Sequence, residues 1–434
     1  MAHIAPFRAL RYDPSRVELG QVITQPYDKI TPAMQDRYYT ASPFNLVRII
    51  LGKSEPGDSP SRNTYTRAQA FFRDWRKQGV LGQDEQPSVY RYVQQFKDPA
   101  SGATLERRGF IALGRIEDYS ANVVFRHEQT LAKPKADRLN LLRATRAHFG
   151  QIFMLYSDAG GEIDELLAPV DDAAVNVTDE YGVVHHLAVV SDPAAIESLR
   201  TRMADKQLII ADGHHRYETA LNYRNEQRES VNSADTQSAP YDFVMMTFVR
   251  MESPGLLILP THRVVHGLTS FSADDFRTRA RQYFSVDEAD AAMNARRATG
   301  LLKAAGQAGT AMLAVTADRV FLIDTPRGVS ARLMTDLSVR QQSLDVVQLH
   351  RCLLQDVLGI SEEAIREQKN ISYVRDIEEA MSLVRSGGAN IAFLMNPVKM
   401  ARVREIAFAG EVLPQKSTDF YPKMLSGLTI YALE

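Results

Sequence analysis

The chain has 434 residues, 44% of them hydrophobic and 24% charged, with 24 glycines and 19 prolines. That is the profile of a folded protein of two or three domains, and it excludes collagen, low-complexity disorder and a disulfide scaffold. Lys plus Arg number 51 against 53 Asp plus Glu, a formal net charge of −2, so no overall positive field exists to hold a nucleic-acid duplex.

The start, Met1-Ala2-His3-Ile4-Ala5-Pro6-Phe7-Arg8, lacks the basic-then-apolar order of a signal peptide. No apolar run approaches the ~20 residues of a membrane span. A cytoplasmic protein with no membrane partner is expected. Residues 1–85 form an N-terminal region that opens irregularly, with turn residues over Ser54–Ser61 marking a surface loop. Ala68, Phe71, Phe72 and Trp75 then fall at i, i+3, i+4 and i+7. This stripe predicts a helix with one apolar face, stopped by Gly79, and makes the sole tryptophan a core residue.

Residues 86–267 mix strands and helices. Val89–Val93, Phe110–Gly114, Val123–Phe125, Leu208–Ile210 and Phe243–Met246 read as strands. Lys135 to His148 and His215 to about Arg228 read as helices, and polar Asn225 to Pro240 as an exposed loop. Residues 268–434 form a C-terminal α/β domain. They give a helical segment near Ala289 to Ala305, a hairpin of Met312–Val315 with Arg319–Ile323, and a helix around Cys352. A helix–strand–helix run follows from Asp376 to Phe408. The single cysteine, Cys352, excludes an internal disulfide and a multi-cysteine zinc site, and reads as a buried small hydrophobe. The fold class is α+β, a mixed α/β protein.

The sharpest local feature is Leu208-Ile209-Ile210-Ala211-Asp212-Gly213-His214-His215-Arg216-Tyr217. An apolar strand ends, Asp-Gly turns, and a helix begins at two histidines. A helix N-terminus offers unpaired N–H groups and partial positive charge, a natural anion site. Gly213 allows close backbone approach, while His214, His215 and Arg216 add side-chain donors. The alternative is that Asp212 merely caps the helix and the others are solvated. His185-His186 has no such setting.

A second cluster runs Arg126-His127-Glu128-Gln129-Thr130, then Lys133-Pro134-Lys135-Ala136-Asp137-Arg138. Basic residues at a helix start oppose the macrodipole, which makes sense if they serve an anion. Glu128 is the best general-base candidate, with a salt bridge to Lys133 or Arg126 as its alternative. His127-Glu128 with His214-His215 or His262 could ligate a metal, but no His-Glu-x-x-His occurs, and metal binding is undetermined. Thr261-His262-Arg263 ends another strand. Pro414-Gln415-Lys416-Ser417-Thr418 and Tyr421-Pro422-Lys423 place two lysines and two hydroxyls in an irregular loop. There is no phosphate-loop, dinucleotide or nucleophile-elbow motif.

Taken in order, Gln25-Pro26-Tyr27-Asp28, Asn45-Leu46-Val47-Arg48, His127-Glu128-Gln129-Thr130 with Lys135-Ala136-Asp137-Arg138, Asp212–Tyr217, Pro260–Arg263 and Pro414–Thr418 resemble the bacterial and archaeal family DUF1015. The Asp-Gly-His-His-Arg element is also similar to one in the ParB–sulfiredoxin group, whose free-serine kinases use such a turn for phosphate and a glutamate as base. This second resemblance implies a ParB/sulfiredoxin-like nucleotide-binding core over 86–267, with flanking α/β regions. No helix-turn-helix of the clamp proteins stands here, and Cys352 is far in sequence from the turn, against a sulfiredoxin.

The expectation is an ATP- and Mg²⁺-dependent small-molecule kinase, with a free L-serine-like hydroxyl compound as the leading acceptor. Glu128 would take the hydroxyl proton, with His127 and Asp212 beside it in the catalytic set. Gly213, His214, His215, Arg216, Lys133, Lys135, Arg138 and Lys416 would meet the nucleotide. Asp137, Thr130, His262 and Arg263 would face the substrate. A hydrolase using the same residues, or a non-catalytic nucleotide sensor, are the rival readings. Oligomeric state stays open.

Overall fold

The computed structural model describes residues 2–129, 132–167, 175–230 and 238–434, excepting the side chains of 132–134 and 330. The fold is mixed α/β. Its contacts divide into two compact units. The first holds Met1–Arg126, Thr130–Leu257 and Phe420–Glu434; the second holds His127–Gln129 and Ile258–Asp419.

The first unit is built on a mixed sheet. Its strands run in the order Val124–Phe125, Leu208–Asp212, Ile152–Tyr156, Phe243–Arg250, Thr104–Arg115, Val89–Lys97, Val184–Val190 and Val175–Thr178, with Ile4–Ala5 also pairing Thr104–Arg115. Leu208–Asp212 is parallel to Val124–Phe125 and antiparallel to Ile152–Tyr156. Successive strand side chains point to opposite faces. Accordingly Ile152, Met154 and Tyr156 join Val244, Met246 and Phe248 in one core, capped by Ile196, Leu199 and Tyr217 from helices.

Residues 1–85 share this unit. The expected helix is Thr64–Lys77, opened by an Asn63–Thr66 capping box and followed by Gly79 at φ 71°. Ala68, Phe72 and Trp75 are its buried face. Trp75 packs with Tyr12, Phe44 and Phe71, as the stripe predicts.

The second unit carries a fully antiparallel sheet in the order Ser285–Ala289, Val320–Asp324, Ala311–Val315, Ile391–Met395, His262–Val265, Ile371–Val374. Both faces are covered. Met312, Ala314, Ile391 and Phe393 join one core, while Leu313, Val315, Ala392 and Leu394 join the other. Burial on both sides explains why these strands read as continuous apolar runs. The hairpin and the helix–strand–helix run stand where expected. Cys352 is buried in the helical Leu349–Val357 segment, and burial pushes its thiol up to about 12. That is inert chemistry at neutral pH.

Three expectations need correction. The helix read from Lys135 to His148 is Ala132–Thr145, and Ala147–His148 is a short strand paired with Tyr431–Ala432. The helix after the Asp-Gly turn is His214–Ser230, so the start of the supposed loop is helical. Tertiary ion pairs, Glu226 with Arg143 and Arg228 with Asp242, hold that polar turn. Ala289 ends a strand and the helix begins only at Ala295, because Asn294 caps it there.

Candidate functional site

The site in the first unit starts from the strand Leu208–Asp212. Its register against Ile152–Tyr156 shifts between Ile210 and Asp212, a bulge that re-aims the strand's last residue. Gly213 follows at φ 94°, and the 17-residue helix His214–Ser230 begins at once. The positive φ requires glycine at this turn, and a Cβ there would also crowd the Arg216 guanidinium at 3.1 Å. His214 is buried and His215 half-buried in the first helical turn.

Asp212 is doubly held. Its Oδ2 accepts from Arg216 Nη2 at 2.7 Å, and its Oδ1 accepts from Lys423 Nζ at 3.0 Å. Burial alone would raise its pKa. The charges of Lys423, Arg216 and Lys29 outweigh that, keeping the carboxyl well below the usual carboxylate range. Lys423 is a site residue that the motif reading left unassigned.

What places Lys423 is a second buried cation. Arg107 is 1% exposed and donates to the carbonyls of Tyr421 and Pro422 and to the Gln94 amide oxygen. Gln94 Nε2 in turn donates to the Lys423 carbonyl at 2.9 Å. Two neighbouring strands thus clamp the Tyr421–Lys423 backbone. Burial draws the Arg107 guanidinium down to about 10, so it stays charged at neutral pH. No local motif marks Arg107 or Gln94; only the strand pairing brings them to residues more than 300 positions away.

The basic cluster is extensively paired. Lys135 Nζ lies 2.8 Å and Arg126 Nη1 3.5 Å from the Glu218 carboxylate. Arg138 binds Asp137 and donates to the Ile50 carbonyl at 2.6 Å, with its guanidinium 4.2 Å from the Tyr27 ring centroid. Asp137 also accepts from Tyr65 OH at 2.8 Å. Thr130 and the Lys133 side chain lie outside the described residues.

The remaining candidates sit in the second unit. Glu128 Oε1 accepts from the Lys416 backbone N–H at 2.9 Å. Lys416 has φ 57°, an uncommon left-handed conformation for a non-glycine residue. Its carbonyl accepts from Arg263 at 3.1 Å. His127 is fully buried, with Nε2 2.8 Å from Thr418 Oγ1. His262 and Arg263 lie at 0% and 2% exposure on the strand His262–Val265. These two form part of that unit's interior.

No group of three or more His, Cys, Asp or Glu side chains that could hold a metal comes together among the described residues. Both oxygens of Asp212 already face cations. This donor set does not fit a resident divalent ion.

Two buried histidines of the second unit predict acid sensitivity. Burial first, then neighbouring arginine charge, pushes His262 down to about 4 and His350 to about 3 from 6.5. The unfolded chain protonates both near 6.5, so below that pH it binds more protons than the folded chain. Stability therefore falls as pH drops from about 6 to 4, by up to ~1.4 kcal/mol per pH unit for each histidine. Denaturant unfolding at pH 6, 5 and 4 measures the slope. His350→Gln should make it shallower by one histidine's share, and an unaltered slope would refute the assignment.

Among the described residues, no helix is long and apolar enough to cross a membrane. A family model described as "Protein of unknown function (DUF1015)" matches residues 4–347. No curated protein matches the chain. Similar solved structures include a conserved hypothetical protein from Pyrococcus furiosus, at 12% identity and TM-score 0.36, covering 71% of this chain and 91% of that one. A free serine kinase in complex with AMP has 13% identity and TM-score 0.36, covering 70% and 89%. SbnI with a C-terminal truncation, from Staphylococcus aureus, has 9% identity and TM-score 0.33, covering 73% and 87%. Likenesses this distant carry no argument about chemistry.

Proposed function

The chain belongs to the DUF1015 family, and on that footing we propose that it is an ATP-dependent kinase acting on a hydroxyl of a small free metabolite. One observation carries the reading. The left-handed Gly213 and the start of a 17-residue helix stand beside Asp212, which is bracketed by Arg216 and Lys423. Backbone N–H groups at a helix start, a glycine that admits close approach and two fixed cations suit a polyphosphate. Phosphoryl transfer asks a protein mainly for positioning and charge stabilisation.

The sequence Asp212-Gly213-His214-His215-Arg216 resembles the phosphate turn of the free-serine kinases, which makes L-serine the first acceptor to try. Glu128 is the proposed proton acceptor on its chemistry, a carboxylate held by the Lys416 N–H. Mg²⁺ enters as part of MgATP, the substrate. A cytoplasmic setting belongs to the proposal at the same level.

Phosphorus NMR with ATP, Mg²⁺ and a panel of hydroxylated metabolites tests the reading. A new phosphomonoester signal with one acceptor is expected. Free phosphate alone would favour the hydrolase, and no consumption of ATP the sensor. Arg216→Ala should raise the nucleotide dissociation constant about 10- to 100-fold, the equivalent of ~1.5–3 kcal/mol for a hydrogen bond to charge. Calorimetric titration showing unchanged affinity would remove Arg216 from the phosphate site.

A further inference from the structure

The first unit contains a cleft of about 60 Å³ whose polar lining is Tyr27, Arg138, His148, Arg216, Thr219 and Ser426. The rest of the lining is mainly apolar, and no acidic side chain is part of it. At about 10–15 Å³ for each water, the space takes roughly four to six of them. It is too small for a nucleoside and adequate for one charged head group.

Donors on its lining residues are only partly used by the protein. Thr219 is 4% exposed, and its Oγ1 has no hydrogen-bond partner. A buried hydroxyl is normally satisfied, so this one asks for a ligand or an ordered water. Arg216 spends N–H groups on Asp212 and the Gln151 carbonyl, and Arg138 on Asp137 and the Ile50 carbonyl. Each guanidinium has five N–H groups, so donors remain on both. Stacking on Tyr27 and those bonds fix the pose of Arg138 before any ligand arrives. Burial pushes His148 down to about 4, so the cleft's positive charge comes from the two arginines.

Gly150 keeps the space open. A Cβ there would come within 3.2 Å of both Arg216 Nη1 and Ser426 Oγ. The backbone itself does not demand glycine, since Gly150 is not among the positive-φ positions.

We propose that this cleft is an oxyanion site, taking a single carboxylate or phosphate group of a small ligand between Arg138, Arg216 and the Thr219 hydroxyl. The inference concerns binding without nucleotide and shares only Arg216 with the proposed phosphate turn. Under the kinase reading it would seat the acceptor's carboxylate; failure of turnover leaves it standing.

Calorimetric titration of the full chain with inorganic phosphate, acetate and L-serine, each without nucleotide, tests it. Saturable binding of at least one is expected, weakened tenfold or more by Gly150→Ala, which fills the space. Thr219→Val should also weaken binding, yet raise the thermal midpoint of the ligand-free protein, because it removes an unsatisfied hydroxyl. A merely structural threonine would give the opposite thermal shift. Preference for phosphate over acetate would identify a phosphate site, and preference for L-serine or acetate a carboxylate site. Absence of binding by all three probes, or affinity unmoved by both substitutions, would overturn the proposal.

Discussion

Glu128→Gln is expected to leave nucleotide affinity unchanged and to lower turnover by about 10²–10⁴-fold, the usual contribution of a positioned general base. The substitution is close to isosteric. Glu128 Oε1 accepts from the Lys416 N–H at 2.9 Å, and a glutamine carbonyl oxygen accepts the same bond. The backbone bridge of Glu128 to Leu413 does not involve the side chain. What glutamine cannot do is take a proton from a hydroxyl. Nucleotide affinity from titration and turnover from phosphorus NMR therefore separate the two roles. Equal loss of both would sink the base assignment, and full retention of turnover would do the same.

Arg107→Met should destabilise the first unit by on the order of 3–5 kcal/mol, as breaking a buried hydrogen-bond network does. The side chain is 1% exposed and satisfies two carbonyls of the Tyr421–Pro422 segment and the Gln94 oxygen. Its guanidinium also lies 4.8 Å from the Phe153 ring centroid. Methionine fills part of the volume and removes a desolvated charge, which offsets some of the loss. It takes the Arg107 donor from those buried acceptors, at ~1–3 kcal/mol for each one left unsatisfied. Gln94→Leu should cost less, since Arg107 still holds the two carbonyls. Urea unfolding of the three proteins gives the comparison. A loss below ~1 kcal/mol in Arg107→Met would mean that the Tyr421–Lys423 segment is held by something else.

Arg107 also shows where sequence reasoning stops. In the sequence it is one arginine among Glu106-Arg107-Arg108, with nothing to set it apart. Alternation along Thr104–Arg115 turns it inward while Arg108 remains exposed. Lys423 is similar. It was visible as a lysine in an irregular loop, but its partner Asp212 lies 211 positions earlier.

The basic cluster gives the complementary lesson. Lys135 and Arg138 stood out because cations at a helix start oppose the dipole. In the structure acids of the protein itself answer them, Glu218 for Lys135 and Asp137 for Arg138. The unusual charge was legible; which acid answered it was not. Likewise His262 and Arg263 looked like a strand end presenting polar groups, whereas the antiparallel sheet buries both between Tyr373–Val374 and Phe393.

By itself the sequence determined whatever depends on neighbours a few residues apart. Helix Thr64–Lys77 follows from a 3.6-residue apolar stripe, and the Ala311–Val315 and Val320–Asp324 hairpin from two short apolar runs around a turn. The Asp-Gly turn into a helix follows from glycine's access to positive φ. Tertiary structure alone decided which charges are paired, which histidines are interior and which backbone Arg107 clamps. Those outcomes depend on long-range strand order and on burial, where the cost of an unpaired polar group selects its partner from anywhere in the chain.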